Sequence, residues 1–318
     1  MGKALRMALI AAVVASGSAS GTLAAEKLRV VKSAAVCFCF LPAEFGKEVG
    51  IWQKRGIELE ITSAGGDARV QQAIVAGSAD IGLGSGPGLG LLSKGVPAKS
   101  VAAIVYRPSG MALIVPKDSP IASPADLKGK KIGVTTGGSL TDWLARKVLE
   151  NGKVPPGSAQ ILPLGDLSSN IAAMKSGSSN AMVYGSEAGF SLQVEGSAKV
   201  LETFDKIVPN FIAHTIFVTD KLRKEKPEVV RQLVAGWLET IQYMRSHKAE
   251  TAAFAEKTLQ LKPGVGALIY DAVMPEMTTD GSFPEDALAI LDQSFVDLGI
   301  LPAKIDMNSV IDRQFLPK

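Results

Sequence analysis

Two cysteines and two histidines in 318 residues leave little material for nucleophilic or metal-dependent chemistry. His214 and His247 match no metal or triad spacing, and G-x-S-x-G, H-E-x-x-H and paired C-x-x-C patterns are missing. His247 falls in a polar helical stretch that predicts exposure, and His214 is expected to make a structural hydrogen bond. A nucleotide loop is missing too. Gly133 to Gly138 has Walker-like spacing, but Ser139 stands where the phosphate-binding lysine belongs, and Gly82, Gly84, Gly86, Gly88 and Gly90 alternate without forming G-x-G-x-x-G. A large excess of charge is also lacking: 34 basic against 31 acidic residues give a net +3, which excludes a general attraction to nucleic acid. Beyond the first residues, no apolar run is long enough for a membrane helix.

The N-terminus has its own character. Lys3 and Arg6 precede the apolar run Met7–Val14, and small residues lead to Thr22-Leu23-Ala24-Ala25. This pattern predicts a secretory signal peptide over residues 1–25, whose cleavage takes the net charge from +3 to +1 by removing Lys3 and Arg6. No cysteine follows at lipobox distance, so a soluble periplasmic protein is expected. Hydrophobic residues at 47% and charged residues at 20% fit a globular chain with material for one large or two ordinary domains. Lys221–Lys226, the densest basic run, is expected to be a solvated approach to the helix after Pro227.

Patterning along the rest is α/β. Around Ala43–Val49 the spacing puts Phe45 and Val49 on one helical face, Gly50 ends that helix, and Ile57, Leu59 and Ile61 alternate with Glu58 and Glu60 as in a strand. Leu28–Lys32, Ile57–Ile61 and Ile81–Gly84 read as strands, as do Ala112–Val115, Lys131–Val134 and Ala181–Val183, with largely parallel sheets expected. After Pro227, Val230, Leu233, Val234, Trp237, Leu238 and Ile241 recur at threes and fours, a core-facing helix stripe.

The stretch Leu41–Ile81, with Gly77-Ser78-Ala79-Asp80 near its end, resembles the opening of the periplasmic solute-binding proteins of nitrate/sulfonate/taurine-type ABC importers, a superfamily shared with thiamine-precursor binders. Asp126-Leu127-Lys128-Gly129-Lys130-Lys131-Ile132-Gly133-Val134 resembles the start of that family's second lobe. Met174–Met182 resembles a second copy of the Gly-x-x-Asp element, with Asn180 in place of Asp. The likeness covers roughly residues 27–250. It implies a two-lobed type II periplasmic-binding-protein fold with a cleft between the lobes. Lobe one then takes residues 26–110 and 213–318, lobe two takes 111–212, and C-terminal helices wrap the back of lobe one. It also implies a monomeric binder without a cofactor that delivers a small-molecule solute to an ABC permease and ATPase.

Ligands of parallel α/β sheets gather beyond the carboxyl ends of strands. That rule selects Ala35–Phe40, Ser63–Asp67, Gly84–Pro87 and Thr135–Thr141. The last joins a strand to a helix, where free N–H groups, the helix dipole and hydroxyls suit an anion, though Ser139 or Thr141 could simply cap the helix. The candidate ligand residues are Phe38, Cys39, Phe40, Gly65, Gly66, Ser85, Thr136, Gly137, Gly138, Ser139, Thr141, Tyr184 and Glu187. Phe38 and Phe40 offer ring faces or core packing, Gly138 offers close backbone approach, and Glu187 faces the cleft or holds the hinge. Arg107 pairs with an anionic solute or forms a hinge salt bridge. Sulfonates and small or aromatic carboxylates are the expected solutes, with a pyrimidine-type vitamin precursor as the alternative.

Cys37 and Cys39 are expected as free thiols, because a bridge across one residue closes a strained ring. The pair faintly resembles the Cys-rich motif of fungal pyrimidine synthases in the same superfamily. Those enzymes consume an active-site His and bind pyridoxal phosphate through a Lys. No His precedes His214 here, so a pyrimidine-synthase-like enzyme stands only as an alternative to a non-enzymatic binder.

Overall fold

Alternation of apolar and charged residues builds the first strand pair. The computed structural model describes residues 25–318, so the expected leader lies, but for Ala25, outside the described residues. In β1 (Glu26–Lys32) Leu28 and Val30 are buried around exposed Arg29. In β2 (Ile57–Ser63) Ile57 and Leu59 are buried beside exposed Glu58 and Glu60. Eight further strands follow: β3 (Ile81–Ser85), β4 (Ala98–Val105), β5 (Met111–Pro116), β6 (Lys131–Val134), β7 (Gln160–Pro163), β8 (Ala181–Gly185), β9 (Ala198–Thr203) and β10 (His214–Thr219).

They form two five-stranded sheets, ordered β2-β1-β3-β10-β4 and β7-β6-β8-β5-β9. Each sheet has three neighbouring parallel strands, then one strand antiparallel to both its neighbours. The antiparallel member is always the strand that arrives from the other lobe: β5 after the turn at 106–110, β10 after the segment 204–213. The sheets are thus mixed, where largely parallel sheets were expected. A crossing with no intervening α-helix brings the chain into the new sheet in the opposite sense. Strands β4, β7, β9 and β10 are not among the six expected strands. Of these, β7 and β9 are short edge strands paired on one side only.

The helices begin with α1 (Pro42–Glu48), α2 (Ile51–Lys54), α3 (Asp67–Val75) and α4 (Gly88–Leu92) on lobe one. Then come α5 (Leu140–Asn151), α6 (Leu167–Lys175) and α7 (Ser186–Val194) on lobe two. The remainder are α8 (Asp220–Glu225), α9 (Pro227–Ser246), α10 (Lys248–Thr258), α11 (Val265–Val273) and α12 (Glu285–Asp297). The expected stripe of α9, from Val230 to Ile241, is buried. Lys221–Lys226 lies mostly within α8; Lys221, Lys224, Glu225 and Lys226 are exposed as expected, while Arg223 is half-buried in ion pairs with Asp220 and Asp312. The C-terminal helices also do more than back lobe one. Helix α11 packs against α7 of lobe two, and Lys262 pairs with Glu195 at 2.8 Å.

The repeated Gly-x-x-Asp element plays the same physical part in both lobes. Gly77 and Gly177, at φ +69° and +74°, turn the chain out of α3 and α6. Asp80 then accepts the backbone N–H of Arg29 at 2.9 Å, and Asn180 accepts that of Lys131 at 2.9 Å. The bonds tie the start of β3 to β1 and the start of β8 to β6, in each case its parallel neighbour. An amide oxygen serves as well as a carboxylate oxygen because the donor is a neutral N–H. Asp80 also grips the Arg29 guanidinium with both oxygens, which Asn180 has no charge to do.

Close packing at the crossing sets a sharp test. A Cβ on Gly86 would sit 2.0 Å from the carbonyl oxygen of Ile212, just before β10. Gly86→Ala should therefore lower unfolding free energy by at least about 1–3 kcal/mol in a urea titration. Gly137→Ala, with no heavy atom within 4 Å, should stay within about 0.5 kcal/mol. Equal stability of the two variants would contradict this packing.

Candidate functional site

The start of α5 is held open by its own side chains. Ser139 is the N-cap and accepts the Asp142 N–H at 3.4 Å. Thr135 Oγ1 lies 3.0 Å from Ser139 Oγ and 2.8 Å from Thr141 Oγ1, so three hydroxyls share one cluster. Gly138, at φ +74°, donates its N–H to Asp142 Oδ2 at 2.9 Å. It is consequently not a free donor, and the expected close backbone approach at Gly138 gives way to the amides of Leu140 and Thr141. These two make no hydrogen bond among the described residues, as first-turn donors of a helix do until something accepts from them.

Lobe one answers with the start of α3. A Cβ on Gly66 would come within 2.8 Å of Thr136, so the absence of a side chain lets the two lobes touch here. The next residue, Asp67, is buried, and its carboxylate accepts the Ser85 N–H at 2.8 Å and the Ser85 hydroxyl at 2.5 Å. Burial raises the Asp67 carboxyl above its ordinary value, and the Ser85 bonds oppose that.

Between these two helix starts lies a cavity of about 50 Å³. Lobe one lines it with Ser33, Ala34, Val36 and Cys37 as well as Gly66, Asp67 and Ser85. Lobe two lines it with the hydroxyl cluster, Leu140, Met111, Tyr184 and Gly185, while His214 closes it at the start of β10. No Lys or Arg is among the lining residues described. Burial pushes the Tyr184 phenol up to about 12, which keeps it an O–H group at neutral pH. Burial pushes His214 down to about 4, leaving a neutral imidazole, edge-on to Phe40 at 5.2 Å.

Five of the thirteen candidate residues meet at this cavity: Gly66, Ser85, Ser139, Thr141 and Tyr184. Gly65, Thr136, Gly137 and Gly138 sit in the same loops but off its lining. Phe38 and Phe40 are fully buried, the former edge-on to Tyr270 at 6.2 Å, and neither ring faces the cavity. Glu187 is buried too. Its Oε1 accepts the N–H of Phe38, in the other lobe, at 2.5 Å, so it bonds across the seam between lobes. Arg107 stands 3.6 Å from Glu276. Asp67 and Ser33 line the cavity without being among the candidates. For Asp67 the available signal was its place directly after Gly65-Gly66, where a helix begins.

The expectation of free thiols is overturned: Cys37 and Cys39 form a disulfide. The expectation rested on the strain of a ring closed across one residue. Phe38–Phe40 forms a 3-10 turn, and the two Cα atoms lie 5.3 Å apart, within the span a bridge needs. Cys39 lies away from the solute cavity and Cys37 on its wall.

A family model described as NMT1/THI5 like matches residues 40–251. A Brucella abortus protein known as a candidate binding protein is 26% identical over 269 residues, which cover 81% of this chain and 82% of that one. The alkanesulfonate-binding protein SsuA from Xanthomonas axonopodis pv. citri, solved bound to MOPS, has a similar structure. The TM-score is 0.77 at 17% identity, over 90% of this chain and 98% of that one. The desulfurization enzyme DszB is also similar, with TM-score 0.66 at 18% identity over 91% and 97% of the two chains. The two lobes and their cleft are those of the periplasmic-binding-protein fold.

The seam bond yields a pH test. Burial raises the Glu187 carboxyl from its ordinary value to about 7, against the pull of the Phe38 N–H. The folded protein therefore holds this proton to higher pH than the unfolded chain does. The contribution is fully present below about pH 4.5 and is lost as pH rises through about 7, each tenfold difference in proton affinity being worth about 1.4 kcal/mol. His214 acts in the opposite sense below pH 6.5, so the comparison is with a variant and not with one curve. Glu187→Gln keeps an acceptor oxygen and removes the ionisation. Its stability relative to the parent should rise by about 2.5 kcal/mol between pH 5 and pH 8 in denaturant titrations. A difference independent of pH would contradict a buried, titrating Glu187.

Proposed function

The chain belongs to the NMT1/THI5-like family, and from that premise we propose that it is the periplasmic solute-binding component of an ABC importer. In this reading the cleft captures a small organic anion, a sulfonate or carboxylate, and the closed monomer presents it to a permease and ATPase. The observation that carries the reading is the open start of α5. Two residues whose amides lack acceptors, Leu140 and Thr141, and the cluster of three hydroxyls line a cavity between the lobes, beyond the carboxyl ends of strands in both sheets. With no Lys or Arg on the lining, an oxyanion there is held by helix N–H groups and hydroxyls. That arrangement supports reversible capture, because it neutralises charge without a strong buried ion pair. Apolar Ala34, Val36, Met111 and Leu140 would surround the remainder of the solute.

The small cavity volume fits a closed state. A solute larger than a few atoms needs the lobes to open, and its preference for the closed form then drives closure. Binding is favoured over catalysis by the inventory at the cavity. Tyr184 keeps its proton and Cys37 is bridged, which withdraws both as nucleophiles and leaves the Ser85 hydroxyl beside the Asp67 carboxylate as the one such pair among the lining residues described. The likeness to a desulfurization enzyme lies in the fold, which by itself carries no chemistry.

Thermal unfolding of the mature protein against sulfonates, carboxylates, nitrate and pyrimidines tests the reading. A true solute at about one hundred times its Kd adds about 2.7 kcal/mol, a rise of several degrees in Tm. Thr141→Val should then weaken the best anion about tenfold in calorimetric titration, since a hydrogen bond to a charged group is worth about 1.5–3 kcal/mol. An unchanged affinity would remove the α5 start from the site. Stabilisation by pyrimidines alone would replace the anion with a vitamin-precursor type of solute.

A further inference from the structure

Behind the solute cavity, on the lobe seam, is a second void of about 10 Å³ whose lining includes Cys37, Cys39, Glu187 and His214, with Arg107, which stands 3.6 Å from Glu276, as the one cationic residue among those described. The two sulfurs and a ring nitrogen of His214 all lie within 4.8 Å of one another. His214 Nδ1 is buried and has no hydrogen-bond partner, and the same holds for Glu187 Oε2 on the same void. A buried imidazole close to two sulfurs, with one of its nitrogens unpartnered, has an unmet demand for a Lewis acid or a donor. No other cysteine exists in the chain, and the only other histidine, His247, is exposed and hydrogen-bonded to Ser246.

We propose that reduction of the Cys37–Cys39 disulfide converts this corner into a site for a thiophilic metal ion, Cu⁺ or Zn²⁺, with Cys37, Cys39 and His214 as ligands. The reductant is a dithiol. It gives two electrons to the S–S bond, becomes a disulfide itself, and leaves two protein thiols. The metal ion then displaces both thiol protons and is held by two thiolates and one imidazole nitrogen. Soft sulfur ligands with one imidazole suit these ions and not Mg²⁺ or Ca²⁺. Three protein ligands leave one position open toward the void. In the oxidised form neither sulfur carries the charge a metal needs, so the disulfide is the gate. The site is independent of the solute reading, yet Cys37 and His214 also wall the solute cavity, so loading it reshapes one side of the cleft.

The experiment uses mature protein without an affinity tag, oxidised or reduced with a phosphine and handled without oxygen. Each form is titrated with Co²⁺, whose thiolate charge-transfer band reports sulfur ligation, and Zn²⁺ is then added to displace it. The expected result is one equivalent bound with that band in the reduced protein, none in the oxidised protein, and full displacement by Zn²⁺. Cys37→Ser should abolish the band. His214→Gln should weaken binding at least tenfold, with circular dichroism confirming that both variants are folded. His247→Ala should change nothing. Equal metal uptake by oxidised and reduced protein, or a band that survives in folded Cys37→Ser or at full strength in His214→Gln, would overturn the proposal. So would a reduced protein that binds no Co²⁺ or Zn²⁺.

Discussion

Everything at the cleft depends on the chain crossing between lobes twice. Each crossing ends as an antiparallel strand, β5 in one sheet and β10 in the other, set between two strands that run the opposite way. This arrangement aims the carboxyl ends of β1, β3, β6 and β8 into one space, so loops far apart in sequence converge there. It also places the start of β10 at the cavity wall, which brings His214 beside residues from the first strand's exit loop. The two crossings, at 106–110 and 204–213, are the segments where a change in lobe orientation would be absorbed.

The price of this convergence is a seam rich in buried polar groups. Asp67 is offset by two bonds from Ser85, and Glu187 by one from the Phe38 N–H, while Oε2 of Glu187 and Nδ1 of His214 stay without partners. Buried groups left in this way cost free energy, and they mark where the fold is not optimised for stability alone. The apolar packing around them compensates. Trp143 stacks on Phe211 at 4.3 Å and donates its indole N–H to Asp297, so the C-terminal helix α12 braces the lobe-two helix whose start faces the solute.

Periodicity was legible wherever one face of an element is buried. The alternation of β1 and β2 and the stripe of α9 appear in the structure as read, because solvent on one side forces the pattern into the residues. Strand β4 carries no such pattern, since all its residues but Lys99 are buried. The short edge strands β7 and β9 are set by pairing with neighbours, which local sequence does not encode. The free-thiol expectation for Cys37 and Cys39 failed for a related reason: the 3-10 turn that brings them within bridging distance leaves no mark in the local pattern.

The sequence by itself determined the α/β class, the family, the paired Gly-x-x-Asp and Gly-x-x-Asn ties and the loops that border the cleft. Those follow from local patterns, from turn chemistry and from motifs that act within one lobe. Only the tertiary structure decided which loop residues share the cavity, that Phe38 and Phe40 are core, that Cys37 and Cys39 are bridged, and that Glu187 bonds across the seam. The physical reason is that each of these depends on distances between segments brought together by the two crossings. Spacing along the chain does not encode those distances.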